Sequence, residues 1–360
     1  VVQGENASIP LDLKRVWDFL VKAVDEDVGS GDITSNGLIP RDREAEASII
    51  SRESGVLAGA PLISAIYYIV WGHMELQNTL QDGSEFEKGD VICRITGPAR
   101  ILLTGERIVL NFLQRLSGIA TLTRRFVRAV EGTGAAIYDT RKTTPGLRYL
   151  EKYAVRVGGG RNHRMGLYDQ VLIKDNHLCL MGSGAPGGTP DVAQGGPSGD
   201  APGSVPGGAP GGPSSGLSGG PSSGLSGGPS SGLSGGTPGG PAGSDLASVL
   251  SSAVASLRDQ LPPEIPIEVE AQDLDQVRCA LEAGVDVIML DNMAPQQMEE
   301  AVRLIHSRSS SGGQKRPAIE ASGGIRLDNV RRVAETGVDR ISVGALTHSA
   351  PALDIAMDIT

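Results

Sequence analysis

The sequence predicts an α/β protein in which a small sheet with helices is followed by a parallel βα barrel of about seven strands. Three observations lead there. From residue 135 onward, short β-branched runs each end in a polar or glycine-rich segment, and helix-period stretches lie between several of them. That alternation is the pattern of a parallel sheet with helical crossovers. Residues 10–95 instead give alternating short runs set apart by glycine turns, the mark of a separate sheet. The chain's 360 residues, 39% of them hydrophobic, suffice for two domains with proper cores.

The elements follow in order. LKRVWDFLVKAV (13–24) has helical spacing, and EAEASIIS (44–51), GVLAG (55–59) and VICRI (91–95) read as strands around the turn segment DGSEFEKGD (82–90). From Thr104 to Val130, apolar Ile108, Leu113, Leu116, Ala120, Phe126 and Val130 recur near the helical period, giving one or two helices. Barrel strands are expected at AAIYD (135–139), AVRV (154–157), QVLI (170–173), IPIEV (265–269), VDVIML (285–290), AIEA (318–321) and DRISV (339–343). Helices are expected at DLASVLSSAVASLRDQL (245–261) and LDQVRCALEAG (274–284). Between them, residues 182–243 are almost all Gly, Pro, Ser and Ala, with PSSGLSGG repeated from Pro213, Pro221 and Pro229. So little apolar area does not offset an ordering entropy of roughly 1–2 kcal/mol per residue, so this insertion is expected to be disordered.

Charge narrows the function. The chain carries −10 overall, against a general nucleic-acid affinity, which needs a broad basic surface. No apolar run approaches the roughly 20 residues that span a bilayer. Cys93, Cys179 and Cys279 are odd in number and far apart, which fits a reducing compartment better than a disulfide framework or a zinc site. Cytoplasm is the expected compartment. A plastid or mitochondrion stays open because the chain starts at Val1, which leaves room for a removed leader.

Within this acidic chain, Thr140 to His177 holds eight Lys or Arg against three acids, a local excess of +5. Arg141, Lys142, Arg164 and Lys174 fall at strand ends or in the loops after them, the rim where barrel active sites form. Arginine grips a carboxylate or phosphate through two parallel hydrogen bonds, and lysine adds a compact charge. His163 is placed to donate to an anion or orient a ring. Arg148, Lys152 and Arg156 lie in a helix-like stretch and are read as rim partners of Glu151, Asp169 or Asp175. Glu270 and Asp291 end apolar strands on the same rim, where carboxylates hold Mg²⁺, usually through water, or accept from sugar hydroxyls. Glu268 points the same way as Glu270, either into the site or lower in the barrel. Ser322-Gly323-Gly324 and Val343-Gly344-Ala345 end the last two strands, the usual phosphate site of such barrels.

DVGSGDITS (27–35), GERIVLNFLQRLSGIAT (105–121), TRKTTPGLRYLEKYAVRVGGGRNHRMGLYDQVLIKDNH (140–177), IEVEA, VIMLDN, EASGGI and DRISVGALTHSAPALDIAMDI together resemble the quinolinate phosphoribosyltransferases, or nicotinate-nucleotide pyrophosphorylases. The resemblance implies an N-terminal α/β sandwich (1–125) and a seven-stranded, TIM-like α/β barrel (126–345) interrupted at 182–243. Residues 346–360 would pack back on the N-terminal domain. It implies that quinolinate is held by Arg107 of a second subunit with Arg141, His163, Arg164 and Lys174, with Lys142 and Thr143 in the same pocket. Glu270 and Asp291 would face the ribose and pyrophosphate with Mg²⁺, while Ser322–Gly324 and Val343–Ala345 cradle the 5-phosphate of phosphoribosyl pyrophosphate. Lys142, Lys174, Glu270 and Asp291 would be catalytic, in a homodimer with shared active sites. Three alternatives stand beside it: a nicotinate phosphoribosyltransferase, a Schiff-base sugar-phosphate aldolase using Lys174, and a biotinyl or lipoyl carrier hairpin around Lys88. Lys88 is read here as a turn residue.

Overall fold

The structure, a computed structural model, describes residues 10–182, 243–312 and 315–360. The expected disorder at 182–243 therefore falls, but for its end residues, outside the described residues. After a 3₁₀ turn (Leu13–Arg15) come α1 (Trp17–Val28), α2 (Ile33–Leu38), β1 (Glu44–Ser51), β2 (Gly55–Val56), α3 (Ala60–Val70), β3 (Glu75–Gln77), β4 (Glu85–Phe86) and β5 (Val91–Pro98). Asp32 caps α2, its Oδ1 accepting the Ser35 N–H at 2.9 Å. Strand β5 pairs antiparallel with β1 and β3, whereas β4 pairs with β2 in a separate ribbon. The Lys88 turn thus joins two different sheets, and the hairpin that a carrier domain needs does not form.

One helix, α4 (Ala99–Ala129), covers 31 residues where one or two were expected. Its buried face runs from Leu102 through Leu113, Leu116 and Ile119 to Phe126, so a single core extends along it from the small sheet to the barrel.

The barrel follows as β6 (Ala136–Tyr138), α5 (Arg148–Val157), β7 (Val171–Ile173), α6 (Asp175–Gly182), α7 (Gly243–Gln260), β8 (Ile267–Ala271), α8 (Leu274–Ala283), β9 (Val287–Asp291), α9 (Pro295–Gly312), β10 (Ala318–Ser322), α10 (Val330–Ala334), β11 (Arg340–Ser342) and α11 (Ala345–His348). Six parallel strands line up as β6-β11-β10-β9-β8-β7. A seventh stave is reduced to one parallel bridge, Tyr138 to Arg161, outside β6. AVRV, expected as that strand, instead ends helix α5. Leu150, Tyr153 and Ala154 are buried on it at helical spacing, and this packing overrides the β propensity of two valines.

The C-terminal strand β12 (Ile355–Ile359) leaves the barrel and pairs antiparallel with β1, Ala47 opposite Ile359 and Ser51 opposite Ile355. On the way it crosses α4 at Gly118, where a Cβ would lie 1.9 Å from the Pro351 carbonyl oxygen. Only glycine allows that approach.

Candidate active site

Parallel strands send their carboxyl ends to one rim, and the cationic residues gather there. Arg141 and Lys142 follow β6, Arg164 lies beyond the Arg161 bridge, and Lys174 comes directly after β7. Lys174 Nζ is ion-paired with Glu270 Oε1 at the end of β8, the lysine side chain 43% exposed and the glutamate 11%. Arg164 loses some hold on its proton through burial, then through the charge of Arg141, while Glu268, Asp169 and Glu270 act the other way. Two guanidinium groups therefore crowd one place. Arg141 Nε is buried there without a hydrogen-bond partner, a donor left for an anion to satisfy.

Two loops carry these cations, and α5 fastens both. Lys152 and Asp139, 1% and 0% exposed, form a buried ion pair. Lys152 Nζ also donates to the His163 carbonyl at 2.9 Å, and Asp139 accepts from the His163 N–H at 2.9 Å and from Asn162 Nδ2 at 2.5 Å. Burial pushes Asp139 up and Lys152 down, and each opposes the shift in the other. Glu151 accepts the Thr144 N–H at 3.1 Å and the Arg115 guanidinium of α4 at 2.7 Å. Arg148 donates to Thr143 Oγ1 and to the Met165 carbonyl, each at 3.0 Å. None of Arg148, Lys152 and Arg156 pairs with Glu151, Asp169 or Asp175 among the described residues. The rim pairing expected for them is corrected accordingly, and Thr143 is spent on holding Arg148.

His163 also departs from expectation. Its ring turns down into the barrel, 8% exposed, with Nε2 3.0 Å from Glu268 Oε2 and 3.4 Å from Glu320 Oε1. Neither contact has the direction of a linear hydrogen bond. Nδ1 accepts the Arg164 N–H at 2.8 Å, while Nε2 lies buried between the two carboxylates and away from the rim. Burial works against a charged ring, but Glu268 and Glu320 outweigh it and raise its pKa to about 9. While Nδ1 accepts the Arg164 N–H, the neutral ring holds its proton on Nε2, and charging the ring would cost that bond. The trio's donor atoms lie within 4.8 Å of one another, but a metal needs a bare Nε2, so the trio fits a proton and not an ion. Glu268 thereby takes the interior of its two expected positions, hydrogen-bonded to Gln170 at 2.6 Å.

The glycines that end the last two strands differ in conformation and surroundings. Gly323 (φ +91°) and Gly324 (φ +61°) lie in the left-handed region. A Cβ on Gly323 would meet Asn292 Oδ1 at 2.2 Å, whereas the space beside Gly324 is open. Gly344 lies under the Lys142 side chain, where a Cβ would be 3.1 Å from Lys142 Cδ. Lys142 thus reaches from the β6 loop to the β11 loop, close to Gly344 and the exposed His348. Asp291 ends β9 and accepts from Asn292 Nδ2 at 3.1 Å. No basic group lies within 4 Å of it among the described residues, and it does not cap α9. Arg107, on α4, is 60% exposed, with Glu106 4.0 Å away as its ion-pair partner.

Lys152, Asp139, Glu151 and Arg148 are the residues that sequence reasoning missed as part of the site. The available signal was their spacing: Arg148, Glu151, Lys152 and Val155 share one face of α5, and a charged face beside buried apolar residues needs partners.

Comparisons with known proteins point to one family. Residues 32–117 match the quinolinate phosphoribosyl transferase N-terminal domain, and 119–186 with 243–358 match the C-terminal domain of the same family. The probable nicotinate-nucleotide pyrophosphorylase (carboxylating) of Bacillus subtilis is 36% identical over 335 residues, 93% of this chain and 90% of that protein. The corresponding protein of Mycobacterium leprae is 34% identical, over 95% of this chain and 96% of its own. Among solved structures, NadC from Streptococcus pyogenes superposes with a TM-score of 0.75 at 33% identity, covering 98% of this chain and 99% of that one. No helix among the described residues is long and apolar enough to cross a membrane. The chain belongs to the quinolinate phosphoribosyltransferase family.

Proposed function

We propose that this protein transfers the phosphoribosyl group of phosphoribosyl pyrophosphate to the ring nitrogen of quinolinate, releasing pyrophosphate and CO₂ and forming nicotinate mononucleotide. The observation that carries the reading is the meeting of Arg141, Arg164 and Lys174 on the rim that also holds the positive-φ glycines of the β10 loop. Two ring carboxylates and a phosphorylated sugar need such a pairing of cations with a backbone cradle.

The chemistry follows from placement. The pyridine nitrogen attacks the anomeric carbon as the bond to pyrophosphate breaks, through an oxocarbenium-like state that Glu270 and Asp291 favour electrostatically. The quaternised nitrogen then accepts the electron pair of the adjacent ring carbon–carboxylate bond. CO₂ leaves, the pair returns to that carbon, and a proton from water replaces the carboxylate there. Glu270 and Asp291 supply hard oxygens that suit Mg²⁺. Because Glu270 is already neutralised by Lys174, it would meet the ion through water, and the ion would offset diphosphate charge.

Arg107 would come from the second subunit of a homodimer, as its exposure on α4 supports. The cytoplasm is the compartment we assign. The Schiff-base alternative is weakened by the Lys174–Glu270 ion pair, because imine formation needs a free amine. Nicotinate as substrate would leave one of the clustered cations without a carboxylate.

The test incubates the protein with quinolinate, phosphoribosyl pyrophosphate and Mg²⁺ and follows CO₂ and nicotinate mononucleotide. Absence of both, or equal turnover of nicotinate, would overturn the reading. Arg141→Ala and Lys174→Ala are each expected to lower kcat/KM by about 2–5 kcal/mol of transition-state binding. A loss under tenfold at both positions counts against their roles.

A further inference from the structure

A cavity of about 740 Å³ lies between α5 and the N-terminal domain. That is the size of a small-molecule site. Leu76, Leu80 and Val157 give it apolar lining, and Asp82, Arg124 and Arg156 give it charged groups. Two of these three charges are already used. Asp82 accepts the Gly59 and Ala60 N–H groups at 2.9 and 2.8 Å and the Tyr153 hydroxyl at 2.5 Å. Arg124 donates to Glu85 at 2.8 Å and to the Gly158 carbonyl at 3.0 Å.

Arg156 is the exception. Its Nε is buried with no hydrogen-bond partner, and the contact it makes is with the face of the Tyr153 ring, 5.9 Å away. Among the described residues no carboxylate pairs with this guanidinium, so its charge is left for an anion in the cavity. One unmatched guanidinium beside apolar lining selects a single negative charge on an apolar body.

We propose that this cavity binds a small organic monoanion, one carboxylate on an apolar frame, through Arg156, and that α5 transmits its occupancy to the active site. The helix is 10 residues long. Arg148, Glu151 and Lys152 at one end hold the two cation-bearing loops, while Tyr153 and Arg156 toward the other line the cavity. Rigid secondary elements with contacts at both ends are a physical route for such coupling. The coupling part rests on the activity proposed above, whereas the binding part does not.

Benzoate serves as the probe, titrated calorimetrically into the full chain and its variants. Binding is expected in the wild type and in Arg141→Ala, and a loss of tenfold or more in Arg156→Gln and in Leu80→Glu, which sets a repelling carboxylate in the lining. The Leu80 variant guards against misfolding at position 156, and the melting temperature of each is checked. Absence of binding at millimolar benzoate, or binding lost in Arg141→Ala and kept in Arg156→Gln, overturns the site. In steady state, saturating benzoate is expected to change KM for quinolinate at least threefold in the wild type and not in Arg156→Gln. A change shared by both is competition at the active site, and no change at all removes the coupling; either overturns that part. A protein that binds benzoate through Arg156 yet turns over no quinolinate would sink the proposed activity and leave the cavity standing.

Discussion

The Lys152–Asp139 pair decides how far the cation-bearing loops can move. Both groups are buried, and each also bonds the backbone or side chains of 162–163, so one ion pair fixes the loops bearing Arg141 and Arg164. Removing one partner leaves an uncompensated buried charge, a cost of about 3–5 kcal/mol. Lys152→Met is therefore expected to lose that much stability in urea unfolding, and Lys152→Met with Asp139→Asn to regain most of it, since the orphan charge is gone. KM for quinolinate should stay raised in the double variant because the strut is still missing. A double variant as unstable as the single one would mean that the pair contributes by packing alone. The gathering of cations on the barrel rim was legible in the sequence, because an excess of Lys and Arg at strand ends inside an acidic chain has few other uses. The strut was not. A lysine at a buried helical position looks like any rim lysine until the tertiary structure supplies its aspartate from 13 residues earlier. His163 was misplaced for a related reason: its neighbour Arg164 faces the pocket, but the ring's destination depends on Glu268 and Glu320, which arrive from distant strands.

Among elements, the barrel strands were readable where both faces are buried. IEVEA, VIMLD and AIEAS became β8, β9 and β10 in register, Glu320 beside Met289 and Met289 beside Glu270. The N-terminal mouth of these strands is closed by Asp339, which joins the start of β10 to the start of β11. Asp339 accepts Arg316 at 2.8 and 2.9 Å and the Ile319 N–H at 2.8 Å. Burial would raise its pKa, but Arg316 and the Ile319 amide overcome this and hold it below the ordinary value of 3.8. A carboxylate with a depressed folded pKa stabilises the fold above its unfolded pKa, and that contribution fades as pH falls through the folded one. Urea midpoints of wild type and Asp339→Asn should thus differ by a constant amount at pH well above 3.8, and converge as the pH falls through the lower folded value. A gap that persists into acid would show that the carboxylate's charge is not what staples the strands. The one element misread, AVRV, shows where strand logic fails. Four residues with β-branched valines fit a strand, but the ten-residue stripe that contains them fits a helix, and burial of Leu150, Tyr153 and Ala154 decides.

For the whole molecule, the open question is what covers two exposed apolar patches. On the N-terminal domain, Ile33 and Leu38 of α2 are 86% and 76% exposed, with Leu103 one helical turn before Arg107 on α4. On the barrel, Leu167 and Tyr168 are 72% and 75% exposed in the loop that follows Arg164. Exposed apolar patches of this kind mark association surfaces. If each subunit sets its first patch on the other's second, a two-fold axis closes the assembly and carries Arg107 toward the partner's Arg164. Mixing tests this without a structure of the complex. On the proposed shared site, Arg107→Ala and Lys174→Ala should each ruin every site in their own homodimers. In a mixed dimer, one site receives both substitutions and the other receives neither. Random exchange of equal amounts makes half the dimers mixed, so about a quarter of wild-type activity should return. If Arg107 served its own subunit, both sites of every mixed dimer would be damaged. Activity of the mixture would then never exceed the average of the two variants, and the shared site would be lost as an explanation for why an arginine stands so exposed on a helix that is otherwise the spine of the core.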